Sequence, residues 1–273
     1  MSTVFVASGA GAARRRLVVA LGAAIVLAVA FVLAPPMVAG WSPGADFADE
    51  HALRAGFRSA FVTYWQAGQA ELTPELQAVV DYWFGYHLVK AAVALLWSIV
   101  LVALGVMLWR SALRTRQPNR TMFAVAGVST TLVLAVAGVA VLANIQGAVT
   151  PFASLLPMAV DGAADASLAG VLTEVEQGLD DYPGGPAALE VMVEDFARYH
   201  VAMAVLGAAA SAGLLGLGVV LWRRRAGAAV RVLGAYALAA VALGLVFAVV
   251  TVANVTTALD PAPGLAALLT GGW

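Results

Sequence analysis

The chain of 273 residues contains no cysteine and few charged residues, and both features narrow its possible chemistry. Without cysteine it has no disulfide, no thiolate metal ligand and no cysteine nucleophile. Charged residues make up 11% of the chain and apolar residues 62%, and the mean hydropathy is +0.89. This composition lies outside the range of water-soluble domains and predicts an all-α, polytopic membrane helix bundle.

Catalytic motifs are missing as well. The sequence has no phosphate-binding glycine loop, no Gly-x-Ser-x-Gly elbow and no His-Glu-x-x-His pair. No Asp, Glu or Arg lies in the middle of an apolar run, although a proton-coupled pump needs titratable groups at that depth. The basic residues form short clusters, which suit anionic lipid but not nucleic acid. We therefore expect a protein that is not an enzyme.

Five apolar runs are long enough to span a bilayer, and each of the last four has 22 residues and reaches roughly 33 Å as a helix. The first run follows three arginines and is either an uncleaved helix or a signal peptide. Pro35-Pro36, directly after this run, favours the uncleaved helix. The predicted spans are 17–34, 88–109, 122–143, 201–222 and 232–253.

The distribution of arginine along the chain predicts the orientation of the protein in the membrane. Five spans place 1–16, 110–121 and 223–231 on one side, and these segments hold most of the arginines, including Arg116. By the positive-inside rule this side is cytoplasmic. The segments 35–87, 144–200 and 254–273 are then extracytoplasmic, and they contain all 16 carboxylates. The expected location is the cell membrane of a bacterium.

The extracytoplasmic segments show helical patterning. Asp46 is a candidate cap for a helix with one apolar face. Thr73-Pro74-Glu75 predicts the start of a helix that runs unbroken into the second span. Pro186 predicts a similar helix that runs into the fourth span. The face of the first helix consists of Leu53, Phe57, Phe61, Tyr64 and Trp65.

One stretch occurs twice. Residues 86–110 and 199–223 match at eleven of twenty-five positions, with Tyr-His at one end and Leu-Trp-Arg at the other. Ala143-Asn144 recurs as Ala253-Asn254. We interpret this as an internal repeat of a unit made of a span, outer helices and a span. The copies enter the membrane from the same side, so the repeat is parallel.

The repeated Tyr86-His87 and Tyr199-His200 carry the candidate sites. Two imidazoles at equal depth suit axial ligation of haem, whereas Tyr-His pairs also suit the interfacial belt or simple packing. A divalent metal is a second option, held by His51, His87 and His200 with carboxylates such as Asp81 or Glu194. No cofactor is favoured over the packing interpretation.

Lys90, the single lysine, lies one turn inside the second span, where the other copy has Met203. A charge inside a membrane suggests function, but a long cation near an interface also extends outward, here toward acids such as Asp81.

Small residues form stripes on the fourth and fifth spans, which predicts close packing within the bundle or a homo-oligomer interface. The stripes are Ala204, Ala208, Ala212 and Gly216, and Ala240, Gly244 and Ala248.

The run 146–157, Gln-Gly-Ala-Val-Thr-Pro-Phe-Ala-Ser-Leu-Leu-Pro, and Asp81-Tyr82-Trp83-Phe84 before Tyr86-His87 are two further marks. In these two segments the chain resembles a family of uncharacterised multi-pass membrane proteins from high-GC Gram-positive bacteria, some of which are labelled twin-arginine signal proteins. The resemblance implies a membrane location and no particular activity or site.

The sequence favours one function and leaves a second as the alternative. The first is an interaction or accessory subunit that presents an acidic, helical outer domain to a membrane or extracytoplasmic protein. Its motivations are the extended outer helices, the absence of a catalytic constellation, and the expected exposure of Tyr64-Trp65 and of Tyr82-Trp83-Phe84. The second is a binder or carrier of a small apolar, metal or haem ligand between the repeats. An apolar outer pocket beside His87 and His200 favours the second.

Overall fold

The computed structural model describes residues 3–41, 47–114 and 119–271, with the side chains of 3–10, 13 and 228 left aside. The described residues form helices and no strand. Asp46 and Arg116, which the sequence singles out, lie outside the described residues. The helices are α1 (Thr3–Ala39), α2 (Glu50–Ala67), α3 (Pro74–Arg114), α4 (Asn119–Val149), α5 (Pro151–Leu155), α6 (Pro157–Val160), α7 (Ala166–Asp180), α8 (Ala187–Arg224), α9 (Val230–Leu259) and α10 (Pro261–Leu269).

Five of these helices, α1, α3, α4, α8 and α9, are long and apolar enough to cross a membrane. The predicted all-α, five-helix membrane bundle is therefore confirmed. Helices α3 and α4 pack along each other, as do α8 and α9, and α1 packs on α3. Most large side chains on the five helices face outward, as expected for surfaces that contact lipid.

The shorter helices gather at one end of the bundle. We call this end the cap; it comprises α2, α5, α6, α7, α10 and the first turns of α3 and α8. It holds the largest apolar core of the described residues, with Phe57, Phe61, Tyr64, Leu76 and Leu189 fully buried. Apart from Arg198, which lies near the cap on α8, the arginines of α3, α4, α8 and α9 lie at the opposite end.

The start of α2 and its apolar face follow from local sequence. The carboxylate of Asp49 accepts a hydrogen bond from the amide of Ala52 at 2.8 Å and caps the helix, which begins at Glu50. The residue that caps α2 is therefore Asp49, three positions after the expected Asp46. All five residues of the predicted face of α2 are buried, which confirms the face but contradicts the expected exposure of Tyr64 and Trp65.

Other expectations for the cap are confirmed or corrected in the same way. Helix α3 begins at Pro74 and runs without a break to Arg114, as predicted. Tyr82, expected to be exposed, is buried, because it packs edge-on against Phe47 with ring centroids 5.1 Å apart. Phe84 alone of that aromatic trio is exposed.

Polar contacts join the helices of the cap. Arg58 on α2 donates hydrogen bonds to the carbonyl oxygens of Met158, Asp161 and Ala163 at 2.7–2.9 Å. The indole of Trp65 donates to Glu174 on α7 at 2.7 Å. These contacts hold the short helices α6 and α7 against α2.

The contact between α8 and α9 depends on small residues, as expected, but on a different face of α8. Its buried small residues are Ala204, Gly207, Ser211 and Gly218, and the hydroxyl of Ser211 donates to the carbonyl of Gly244 at 2.8 Å. Of the predicted stripe, Ala208, Ala212 and Gly216 are exposed. The buried set has spacings of three, four and seven residues, which follow a helix face better than steps of four.

Candidate functional site

Both Tyr-His pairs lie where the cap joins the five long helices, and each histidine contacts an asparagine on the next long helix. Nδ1 of His87 on α3 lies 2.9 Å from Oδ1 of Asn144 on α4. Nδ1 of His200 on α8 lies 2.8 Å from Oδ1 of Asn254 on α9. The two helix pairs thus carry the same polar contact at their cap ends.

The asparagines fix the histidine tautomer. The amide nitrogen of Asn144 donates to the carbonyl of Ala140 at 2.7 Å, and that of Asn254 donates to the carbonyl of Val250 at 2.8 Å. Each Oδ1 therefore faces the imidazole as an acceptor, so Nδ1 must carry the proton. In the neutral ring this leaves the lone pair on Nε2. Both Nε2 atoms are buried and have no hydrogen-bond partner.

The surroundings of the two rings differ. His87 lies under Gly147 of α4, where a β-carbon would come within 2.7 Å of Nε2. The rings of Trp83 and His87 are nearly perpendicular, with centroids 4.6 Å apart. His200 meets the ring of Phe196 at 4.6 Å and lines a cavity. One imidazole is thus covered by backbone, while the other borders empty space.

The cavity at His200 has a volume of about 660 Å³ and a largely apolar lining. It lies between the cap end of α4, the helices α8 and α9, and the cap. Some lining residues, such as Pro157 and Ala253, are exposed, so the cavity opens to the outside of the bundle. The lining includes the side chains of Gln146, Phe196, His200, Met203, Val250 and Asn254.

Beside the cavity, α4 packs less closely on α8 than α1 packs on α3. Near the cavity the contact between α4 and α8 includes one hydrogen bond, from the side chain of Gln146 to the carbonyl of Tyr199 at 3.1 Å. On the other side of the bundle, Phe31 of α1 packs on Trp97 of α3, with ring centroids 6.2 Å apart. The looser contact leaves room for a ligand beside α8.

Lys90 does not reach the acid that the sequence suggests. Its ammonium nitrogen lies 3.2 Å from the hydroxyl of Tyr86 and 5.0 Å from the ring centroid of Phe31 on α1. Asp81 instead accepts a hydrogen bond from Gln77 at 2.7 Å. Glu194 pairs with Arg198 on its own helix. Lys90 is therefore held between α1 and α3 by aromatic groups, while its counterpart Met203 lines the cavity.

The proposed metal ligands are not brought together. Within the described ranges, no three His, Asp or Glu side chains form a group that could hold a metal ion. His51 lies on α2 and lines a separate, polar cavity of about 440 Å³ with Arg54 and Arg58. Ligation of one haem by both histidines would require both Nε2 atoms to reach the iron, and Gly147 covers that of His87.

Sequence reasoning missed Asn144 and Asn254 as partners of the histidines, although the signal was present. The Tyr-His and Ala-Asn dipeptides recur in the same order and at nearly the same separation, which is the pattern expected of two residues in contact. The role of Gly147 had no such signal, because the residue three positions after Asn254 is Thr257 rather than glycine. No protein-family model, curated protein or solved structure matches the chain.

Proposed function

We propose that this multi-pass membrane protein binds a small apolar molecule in the cavity beside His200. The supporting observation is the cavity itself, whose volume of about 660 Å³ falls within the roughly 300–1,000 Å³ usual for ligand sites. Its apolar lining and its opening beside the long helices suit a molecule that arrives from the bilayer. The ligand would lie among Phe196, Met203 and Val250.

The alternative is an interaction subunit, and one of its three motivations, the exposure of aromatic groups, holds only for Phe84. Tyr64, Trp65 and Tyr82 are buried in the cap, where they stabilise its own core. Exposed aromatic anchors are the usual centres of protein interfaces, and burial removes them from contact with a partner. A protein partner or a homo-oligomer remains a prediction from the sequence.

We also infer the orientation and the origin of the site. The positive-inside rule places the arginine-rich end in the cytoplasm and the cap outside the cell membrane, with the N-terminus inside. The cavity then opens near the outer face of the bilayer.

The matching His87–Asn144 and His200–Asn254 contacts support descent from a duplicated unit, in which one copy kept a closed helix contact and the other opened it.

The test is photolabelling with an apolar diazirine-bearing alkyl probe on protein in lipid nanodiscs, followed by peptide mass spectrometry. We expect labelling of Met203 and Val250 that is saturable with increasing probe. Ala253→Phe places a ring in the cavity and should abolish this labelling. Ala143→Phe is the matched control, because Ala143 is the exposed counterpart in the first copy and does not line the cavity.

The outcome that contradicts the proposal is equally specific. Labelling would then rise in proportion to probe concentration on all exposed apolar residues, such as Leu245 and Val249. It would also be the same in wild type and in the Ala253→Phe variant. That pattern is the one expected of a probe dissolved in lipid without a binding site.

A further inference from the structure

A groove runs between α1 and α3 at the arginine-rich end of the bundle. The last residue of α1, Ala39, is buried in the core of the cap, so the start of α1 lies at the opposite end, beside Met107 of α3. The groove has a volume of about 950 Å³ and a mostly apolar lining. Arg15 and Arg16 line its polar end, and both side chains are exposed.

Small residues form much of the lining of the groove. They are Gly11, Ala12, Ala20 and Ala23 on α1 and Ala103 on α3. Beside the groove the two helices are joined by an apolar cluster that includes Leu17, Ala24, Leu101 and Leu104. The groove therefore has one wall on each of two helices that are packed together.

The groove is nearly as long as one lipid leaflet is deep. From Arg15 to Ala23 helix α1 rises about 12 Å, and from Val100 to Met107 helix α3 rises about 10 Å. Half of a hydrocarbon core of roughly 30 Å is about 15 Å. A groove that begins at the arginines and follows the helices for this distance ends near the middle of the bilayer. Its polar and apolar parts thus match the headgroup and the acyl chain of a phospholipid.

The charge at the polar end of the groove is not balanced by acids of the chain. None of the 16 carboxylates lies in 1–16, 110–121 or 223–231, the segments that hold most arginines. Among the described residues, neither Arg15 nor Arg16 forms an ion pair. Guanidinium groups bind phosphate oxygens through charge-assisted hydrogen bonds. The ammonium of a zwitterionic headgroup would find no carboxylate in these segments, so a headgroup with a net negative charge fits best.

We propose that the groove binds one anionic phospholipid of the adjacent leaflet, whose phosphate lies on Arg15 and Arg16. Its headgroup is of the phosphatidylglycerol type, with a phosphodiester and no cation. One acyl chain lies against Val19, Val100 and Met107. This site is at the other end of the bundle from the cavity described above, and it does not depend on the function proposed for that cavity.

The experiment compares two photolipids in phosphatidylcholine nanodiscs that hold the full chain. A phosphatidylglycerol and a phosphatidylcholine, each with a diazirine on one acyl chain, are added in the same small amount. Peptide mass spectrometry gives the labelling at Met107 relative to Val125, an exposed residue of α4 at a similar distance from the arginine-rich end. In wild type we expect this ratio to be about tenfold higher for the phosphatidylglycerol probe, because two arginines contact its headgroup.

The variant that tests the headgroup contact combines Arg15→Gln with Arg16→Gln. It should reduce the labelling ratio of the phosphatidylglycerol probe to that of the phosphatidylcholine probe. Arg224→Gln combined with Arg231→Gln is the matched control, because it removes the same charge from the same end of the bundle and neither residue lines the groove. The control should keep the tenfold preference.

A second variant covers the case in which the first does not fold. Ala103→Phe places a ring in the apolar part of the groove and leaves both arginines in place, so labelling at Met107 by the phosphatidylglycerol probe should fall to the level of the phosphatidylcholine probe. Ala92→Phe is its control, because Ala92 is an exposed residue of α3 that does not line the groove. It should label as wild type does.

Three outcomes would overturn the inference. Equal ratios for the two probes in wild type would mean that Met107 only faces bulk lipid. A preference lost to the same extent in both double arginine variants would assign it to the overall charge of that end of the bundle. A preference that persists in the folded Arg15→Gln, Arg16→Gln protein, or in Ala103→Phe, would place the lipid elsewhere.

Discussion

Gly147 on α4 lies against the imidazole of His87 on α3 so closely that a β-carbon at position 147 would be 2.7 Å from Nε2. No side chain other than hydrogen fits there without moving the helices apart. The contact therefore sets the distance between α3 and α4 at the cap end. It also separates the closed histidine site from the open one at His200.

Gly147→Ala should destabilise the protein, because the ring and the helix must shift to make room. Overpacking of this kind costs about 1–3 kcal/mol, and thermal unfolding in detergent measures it. Gly138→Ala is the control on the same helix, since a β-carbon there meets no atom within 4 Å. That change should be neutral or slightly stabilising. Equal effects of the two changes would show that the His87 contact is not tight.

Arg58→Lys should loosen the cap. The guanidinium donates to three carbonyl oxygens of the segment from Met158 to Ala163, and an ammonium cannot reach all three. The loss should be about 2 kcal/mol, seen as faster protease cleavage between α6 and α7. Arg198→Lys changes an exposed pair with Glu194 and should have an effect below about 0.5 kcal/mol. Unchanged cleavage in Arg58→Lys would refute the role of Arg58.

Tyr64 makes the stability of the cap depend on alkaline pH. Burial, and to a lesser extent the charge of Glu71, raises the pKa of Tyr64 from 10.0 to about 12. The unfolded chain therefore loses this proton first as the pH rises. The contribution of Tyr64 to stability is complete below pH 10 and falls as the pH rises toward 12.

Tyr64→Phe should remove this part of the alkaline loss of stability. At neutral pH it should be neutral or stabilising by up to about 2 kcal/mol, because the hydroxyl is buried without a partner. The ring contact with Phe152, at 5.8 Å between centroids, is kept. Unfolding curves of both proteins between pH 8 and 12 measure the difference. A variant as sensitive to alkali as wild type would assign the effect to other groups.

Tyr236→Phe should weaken the bundle at its arginine-rich end. The hydroxyl of Tyr236 on α9 accepts a hydrogen bond from the indole of Trp109 on α3 at 2.9 Å and lies 2.7 Å from the hydroxyl of Thr131 on α4. Polar contacts between membrane helices contribute about 0.6–1.7 kcal/mol. Thr131→Val and the double variant complete a double-mutant cycle, in which the free energy of unfolding in detergent is measured for each protein. Purely additive losses would show that the two hydroxyls do not interact.

Features encoded by neighbouring residues could be predicted from the sequence. The spans follow from unbroken apolar runs, and the start of α3 follows from Thr73-Pro74-Glu75, where the threonine hydroxyl accepts from the amide of Leu76 at 3.4 Å. The apolar face of α2 follows from its helical spacing. In each case the structure follows from residues within one continuous segment of the chain.

Features that depend on residues far apart in the chain could not be predicted from the sequence. The burial of Tyr64 and Tyr82 follows from how α2 and α3 pack with distant helices of the cap, and periodicity does not reveal packing partners. The cavity at His200 lies beside the looser contact between α4 and α8, although both copies of the Tyr-His motif look alike in sequence. The closed site at His87 and the open site at His200 differ outside the motif, where the first has Gly147 and the second has Thr257.

The composition of the cap core has a consequence for biosynthesis. Leu265, Leu268 and Leu269 of α10 are buried in that core beside residues of α2 and α7. Helix α10 follows the last long helix, so the ribosome must complete all five before the core can close. Until then the nascent chain presents unfilled apolar surface, which exposes it to chaperones and proteases throughout membrane insertion.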